Sequence, residues 1–172
     1  GNDAGRITVR GREGGHKRHH RIVDFRGNKE NVPGVVETVE YAPTRSCFIA
    51  LVKYADGERR YILATARMRP GMTVVSSARA EIAEGNTMEL RSIPLGTMVH
   101  NIELVPGLGG QVARSAGAYA EVMAKENALV QLKMPSGEIR SVREICRATV
   151  GQVSNPEHDS MVLGSAGRTR HK

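Results

Sequence analysis

The sequence predicts an all-β fold of two small barrels in tandem, with a basic arm before them and a basic tail after them. Short runs of β-forming residues are separated by Gly and Pro turns at close intervals, which is typical of small barrels. Gly is abundant, at 19 of 172 residues, and aromatic residues make up only 3%. We therefore expect an arm over residues 1–20, an OB-type barrel over 21–85, an SH3-like barrel over 86–160 and a tail over 161–172.

Five strand-like runs predict the first barrel. Asp56-Gly57 is a strong two-residue hairpin turn, and Pro33-Gly34 and Pro70-Gly71 supply further turns. Five strands in about sixty residues suit an OB-type barrel. The predicted strands cover residues 21–25, 35–41, 47–54, 59–64 and 72–76.

The second barrel follows a weaker stretch, residues 77–87, in which Gly85-Asn86 marks the expected domain boundary. Its sequence is again rich in β-forming residues, with a hairpin turn at Ser136-Gly137. One helical turn is predicted over residues 142–145. The loop over residues 105–117 is long for a compact barrel, and such loops are usually functional. The predicted strands cover residues 88–92, 98–104, 120–125, 128–134, 139–142 and 148–153.

The charge distribution favours a polyanionic partner. Lys and Arg number 25 and Asp and Glu number 18, so the formal net charge is +7. Residues 1–30 carry a net +4 and residues 161–172 a net +3, while residues 31–160 are neutral. A neutral body with basic ends is typical of nucleic-acid binding, and solubility charge on frayed ends is the alternative. Membrane binding is disfavoured because the ends lack an apolar helical face.

The residues show no catalytic set, so we expect no enzyme, no cofactor and no metal. The Ser residues lack a nucleophile-elbow context, and His100 and His158 stand alone. The loop over residues 106–111 lacks the Lys-Ser/Thr ending of a nucleotide P-loop, and the arm's His residues have no Cys or acidic partners to complete a metal site. Cys47 and Cys146 fit neither a disulfide framework nor a zinc pattern, so we expect buried, reduced thiols.

The arm combines cations with glycines, which suits phosphate. Glycines let backbone N–H groups approach phosphate closely, and cations release its counterions; a disordered tail without a fixed partner is the alternative. The scarcity of aromatic residues argues against a barrel that stacks single strands and favours recognition of folded RNA by shape and phosphate. The candidate RNA-binding residues in and beside the arm are Arg6, Arg10, Arg12, Gly14, Gly15, His16, Lys17, Arg18 and Arg21.

Long motifs run along nearly the whole chain. They include GGHKRHHRIVDF, FIALVKYADGERRYILA, GNTMELRSIPLGTMVHNIELVPGLGGQVARSAG and CRATVGQVSNPEH. In this order they resemble the L-two family of large-subunit ribosomal proteins. The resemblance implies an OB-fold followed by an SH3-like barrel, with rRNA as ligand and other ribosomal proteins as neighbours. It also implies a place near the peptidyl-transferase region and the subunit interface.

The same resemblance implies that Arg45 and Arg114 bind rRNA. Arg45 lies in the turn after Pro43, and Arg114 lies in the loop that contains Gly-Gly-Gln. The further candidates in the loop, the second barrel and the tail are Gly109, Gly110, Gln111, Ser115, Arg147, Arg168, Arg170 and Lys172.

The chain departs from that family's pattern at several positions. Glu13 stands where the family usually has Gly, Leu108 where its loop carries a cation, and His171 where Trp is expected. With the family segments that do not appear at either end, these changes favour a mitochondrial ribosome over a bacterial or plastid one. We expect a separate polypeptide to carry the family's Gly- and His-rich segment beside Lys172; trimming or omission of that segment are the alternatives.

We thus expect a structural rRNA-binding protein of the large ribosomal subunit that supports subunit assembly and the peptidyl-transferase region. The alternative is an extraribosomal double-barrel module that binds RNA or protein. Salt dependence separates the two, because a specific rRNA binder should prefer its own rRNA over bulk RNA at moderate salt.

Overall fold

Two antiparallel sheets make up the fold. The computed structural model describes residues 2–11 and 17–171, and within them ten strands form one sheet of four strands and one of six. This architecture is all-β and consistent with an OB-fold followed by an SH3-like barrel, which confirms the predicted fold class. Five predicted RNA-binding candidates lie outside the described residues: Arg12, Gly14, Gly15, His16 and Lys172.

The first sheet has the strand order β3-β2-β1-β4. The Asp56-Gly57 turn joins β2 to β3, and Gly57 adopts a φ of +88°, which a tight hairpin turn favours and which glycine tolerates best. Buried Val36, Val52 and Val74 belong to its core. The strands are β1 (Gly34–Glu40), β2 (Ile49–Tyr54), β3 (Arg59–Leu63) and β4 (Thr73–Val74).

The predicted strand over residues 21–25 is wrong. Only Val23 bridges to β3, through Tyr61. Beyond this bridge the Phe25 carbonyl accepts the N–H of Gly110, from the second half of the chain, at 2.8 Å. A contact between distant parts of the sequence therefore replaces the local strand.

The second sheet has the strand order β5-β10-β6-β7-β8-β9. Its core contains the fully buried side chains of Met88, Leu90 and Leu132. β4 ends at Val74 and β5 begins at Thr87, and the domain boundary expected at Gly85-Asn86 stays a prediction. The strands are β5 (Thr87–Glu89), β6 (Met98–His100), β7 (Ala120–Glu126), β8 (Leu129–Lys133), β9 (Ile139–Arg143) and β10 (Arg147–Val150).

Helical structure in the described residues lies elsewhere than predicted. The helical turn expected over residues 142–145 is wrong, because Val142 belongs to β9, pairs with Val130 and is buried in the core. A β-branched residue in that environment favours the extended backbone. The observed helices are short: two 3-10 segments, Leu90–Ser92 and Pro156–Ser160, and α1 (Ala166–Arg170), which lies in the predicted tail.

A cluster of apolar residues joins the two halves of the chain. Val153 is fully buried and forms a β-bridge with Thr65 of the first half, and the Ser154 hydroxyl accepts the N–H of Phe48 at 3.0 Å. The cluster, here called the junction cluster, consists of Val23, Ala42, Cys47, Ile49, Leu63, Ala116 and Val153. Because Ala42 and Cys47 lie between β1 and β2 and Ala116 lies before β7, two loops from different halves meet over it.

Both cysteines are buried free thiols, as the sequence predicts. Among the described residues no helix has the length and apolar character needed to cross a membrane.

Candidate nucleic-acid interface

The two arginines singled out by the sequence meet on one aromatic ring. The guanidinium carbon of Arg45 lies 4.7 Å from the centre of the Phe25 ring, and that of Arg114 lies 4.6 Å from the same centre. Cation–π attraction holds a guanidinium at this distance from an aromatic ring. Three residues that are far apart in sequence therefore form one compact group; its two guanidinium groups are here called the arginine pair.

Arg45 is positioned by the turn between β1 and β2. Its N–H donates to the Ala42 carbonyl at 3.2 Å, and Ala42 and Cys47 anchor the turn in the junction cluster. The hydroxyl of Ser46 accepts the N–H of Ala116 at 3.1 Å, which ties this turn to the long loop of the second half. The Nε of Arg45 is buried and has no hydrogen-bond partner among the described residues.

Arg114 is held by its own loop and by the first half of the chain. Its Nη1 donates to the Gly110 carbonyl at 3.2 Å, and its carbonyl accepts from the Cys47 thiol at 3.5 Å. Burial raises the pKa of the Cys47 thiol, so the sulfur stays protonated at neutral pH and can donate. The predicted loop is therefore an ordered segment packed against both halves.

Glycine is required at the centre of this loop, here called the glycine loop and comprising residues 105–117. A Cβ on Gly110 would lie 2.5 Å from the backbone carbonyl oxygen of Asn101, far inside van der Waals contact. Gly109 adopts a φ of +101°, a conformation that side-chain-bearing residues rarely take. The close approach lets the N–H of Gly110 reach the Phe25 carbonyl, and so brings Arg114 to the ring.

The arginine pair has no carboxylate partner among the described residues, unlike several neighbouring arginines. Arg60 pairs with Asp24 and Glu58, and those carboxylates raise its pKa. An arginine that already forms an ion pair inside the protein contributes less free energy to phosphate binding, because it must first give up that pair. Arg45 and Arg114 keep their charge available, and a planar guanidinium is well suited to bind phosphate oxygens.

An open groove of about 1140 Å³ runs beside Arg114. Phe25 and Tyr61 line it from the first half, and Gly109 and Gln111 line it from the loop. Exposed Leu108 also faces the groove; this is the position at which the resemblance would place a cation. The groove therefore combines an apolar wall with arginines and with two carboxylates, those of Asp24 and Glu58.

The described part of the arm ends beside the arginine pair. His20 Nδ1 lies 3.5 Å from the Thr44 hydroxyl, one residue before Arg45. Arg21 is half-buried and donates from Nη1 to the His19 carbonyl at 2.7 Å. The other predicted arm residues in the described part of the chain are exposed: Arg6, Arg10, Lys17 and Arg18.

The remaining predicted residues divide into two groups. Arg147 is taken up inside the protein, because its Nη1 donates to the Gly27 carbonyl at 3.1 Å and its Nη2 pairs with Glu30. Arg168 and Arg170 are exposed on α1. Ser115 and Gln111 are exposed on the loop that carries Arg114.

Sequence reasoning misses Phe25 and Glu103. Phe25 is expected only as a strand residue, and nothing in the sequence shows that two distant arginines meet on its ring. Glu103 is 2% exposed, although acidic residues are almost never fully buried without partners. Its position shortly before a glycine-rich loop is the only sequence signal that could indicate its role. No group of metal-ligating side chains occurs among the residues that the structure describes.

Two family models match the chain. The model described as Ribosomal Proteins L2, RNA binding N-terminal domain, matches residues 1–76. The model described as Ribosomal Proteins L2, C-terminal domain, matches residues 83–172. Only the short stretch 77–82 between the sheets lies outside both matches. The chain therefore belongs to the L2 family of ribosomal proteins, the RNA-binding proteins of the large ribosomal subunit.

Proposed function

We propose that the chain binds large-subunit rRNA at the junction of its two halves, with Arg45 and Arg114 on phosphate groups. The observation that carries this proposal is the arginine pair on Phe25. Two cations from different halves converge there without a carboxylate partner in the described chain. A bound phosphate would supply the missing countercharge.

The rigidity of the arginine pair supports binding of structured RNA. Each arginine comes from a loop that is anchored in the junction cluster, so little side-chain freedom remains to be lost on binding. The Phe25 ring already contacts two guanidinium groups, so it is not free to stack on a base. We therefore expect the protein to recognise rRNA by the positions of its phosphates and the shape of its backbone, as proteins that bind folded RNA do.

The exposed cations of the arm and of α1 are further candidates for contact with RNA phosphates. Arg6 and Arg10 before the first sheet and Arg168 and Arg170 after the second are exposed. They add counterion release and therefore affinity that is sensitive to salt. The rRNA path we propose passes from the arm, over the arginine pair, towards α1.

The protein's role in the ribosome is structural in this proposal. It holds rRNA and neighbouring ribosomal proteins during assembly of the large subunit, and it supports the peptidyl-transferase region without catalysing a reaction. A mitochondrial location stays a prediction from the departures at Glu13 and Leu108; imaging a tagged chain in cells tests it.

Competition binding tests the proposed function. The full chain is titrated into labelled large-subunit rRNA from the same genome, transcribed in vitro, at moderate salt with an excess of bulk tRNA. We expect the cognate rRNA to remain bound while tRNA competes poorly, because the fixed positions of the arginines match the phosphates of one RNA fold, whereas non-specific charge attraction would give no such preference. Equal competition by tRNA would instead favour an extraribosomal module of low specificity.

A further inference from the structure

Glu103 places a carboxylate inside the protein, directly beneath the glycine loop. Its side chain is among the largest fully buried ones. No Lys or Arg side chain in the described chain forms an ion pair with it. A buried charge is costly unless hydrogen bonds or an opposite charge compensate it.

Three backbone N–H groups provide that compensation. Oε1 accepts from Gly109 at 3.0 Å, and Oε2 accepts from Arg147 at 3.0 Å and from Gly107 at 3.3 Å. Hydrogen bonds to an ionised acceptor are about twice as strong as those between neutral groups. Two of these donors belong to the loop and the third to β10, so the carboxylate ties the loop to the second sheet.

The fixed loop leads directly to Arg114. The peptide that follows Gly109 presents the N–H of Gly110 to the Phe25 carbonyl, and the Gly110 carbonyl accepts from the Arg114 guanidinium. The loop closes where Ile102 and Val112 form a β-bridge. Glu103 therefore holds one side of the same peptide segment that orients Phe25 and Arg114 on the other side.

We propose that Glu103 is a positioning residue for RNA binding, whose carboxylate fixes the glycine loop so that Arg114 stays on the Phe25 ring. This inference rests on the proposed function of the arginine pair. Glu103 is too deeply buried to touch RNA, so it acts only through the loop. An acidic residue thus strengthens binding to a polyanion, because its charge is taken up by backbone N–H groups inside the protein.

The sign of one substitution tests the proposal. Glu103→Gln keeps the side chain's size but removes a negative charge, and its amide NH₂ faces N–H donors. Electrostatics alone predicts tighter rRNA binding, since the net charge rises. If Glu103 positions the glycine loop, rRNA binding should instead become about five- to tenfold weaker, which is the effect of losing one buried hydrogen-bonding partner. Glu126→Gln, which changes an exposed glutamate at the end of β7, is the matched control and should bind equally or more tightly.

A double-mutant cycle separates positioning from a general loss of structure. In the wild-type chain Arg114→Ala should weaken rRNA binding strongly, whereas in the Glu103→Gln chain the same change should add little. Fully additive losses would overturn the proposal. If Arg114→Ala alone has no effect, the proposed function of the arginine pair fails instead, so the two failures are distinguishable.

Hydrogen exchange on the wild-type chain gives a test that needs no folded variant. Gly107 is an exposed residue, and its N–H donates to the Glu103 carboxylate. We expect the amides of Gly107 and Gly109 to exchange far more slowly than those of an open loop. Exchange as fast as at the exposed amide of Ser136 would overturn the proposal. A Glu103→Gln chain that folds should lose this protection selectively.

Discussion

Arg45 and Arg114 should be worth more to RNA binding than an ordinary surface arginine. Changing either to Ala should weaken binding to the cognate rRNA by about 1–3 kcal/mol, the range of a good charge-assisted contact. Arg79, an exposed residue in the segment that connects β4 to β5, is the matched control, and Arg79→Ala should weaken binding much less. Anisotropy titrations measure the rRNA affinity of all three variants. Equally small losses of affinity in all three would contradict the assignment of Arg45 and Arg114 as RNA-binding residues.

His100 should make the fold sensitive to acid. Its ring is 1% exposed, and burial lowers its pKa to about 4 although Nδ1 hydrogen-bonds the Gly151 carbonyl at 2.8 Å. His100 therefore takes up a proton near pH 6.5 in the unfolded chain but only at about pH 4 in the folded chain. Stability should fall as the pH is lowered through this window, by about 3 kcal/mol in total.

Urea unfolding at about pH 7 and about pH 4.5 measures this effect in the wild-type and His100→Gln chains. Two other titratable residues, Asp24 and Tyr54, line the small cavity that His100 also lines. Because both are present in the wild-type and the variant chain, the difference in stability between the two chains reports on His100 alone. The variant should lose less stability between the two pH values. The same loss in both chains would show that other groups cause the acid sensitivity.

In the glycine loop, the position of Gly110 leaves no room for a side chain. Gly110→Ala would bring a Cβ to 2.5 Å from the Asn101 carbonyl oxygen, so the loop or Asn101 must move. We expect destabilisation of about 1–3 kcal/mol, as for other overpacked sites, together with weaker rRNA binding. Gly167→Ala in α1 is the control, because the added Cβ would lie 3.9 Å from the Ser165 hydroxyl, an ordinary van der Waals distance. Thermal unfolding of both variants measures the effect, and equal melting temperatures for the Gly110→Ala and Gly167→Ala chains would contradict the expectation.

The arm should contribute affinity that depends strongly on salt. Removing residues 1–20 takes away five cations: Arg6, Arg10, Arg12, Lys17 and Arg18. The slope of log affinity against log salt should become shallower by about 0.7–0.9 for each RNA phosphate that the arm neutralises in the intact chain. Binding isotherms at several salt concentrations measure the slope. An unchanged slope would mean that the arm does not touch RNA phosphates.

Local signals predict those elements whose pairing is local. The Asp56-Gly57 turn specifies the β2–β3 hairpin, and the structure confirms it. The strand expected over residues 21–25 fails because Phe25 pairs with Gly110, from the other half of the chain. The helical turn over residues 142–145 fails because Val142 is buried in the second core as part of β9. A tertiary contact that no local pattern encodes thus decides the first case, whereas burial and the pairing of Val142 with Val130 decide the second.

In the molecule as a whole, the two sheets act as one support for the arginine pair. Cys47 of the first half and Val153 of the second meet in the junction cluster, and Arg45 and Arg114 lie on the loops that pack there. The sequence indicates Arg45 only through a resemblance, and it indicates Arg114 otherwise only as part of a long loop, since composition offers no reason to choose them among 25 basic residues. Their meeting on Phe25, and the buried Glu103 beneath the loop, follow only from the three-dimensional fold.

A cryo-EM map of the large subunit that contains this chain tests most directly whether the arginine pair binds rRNA. We predict that the guanidinium groups of Arg45 and Arg114 both lie within hydrogen-bonding distance of rRNA phosphate oxygens, with Phe25 between them and no base stacked on its ring. We further predict that the face carrying the arm and the glycine loop is turned towards RNA. A map in which the arginine pair faces solvent or another protein, with no phosphate near either guanidinium, would contradict the proposed binding mode.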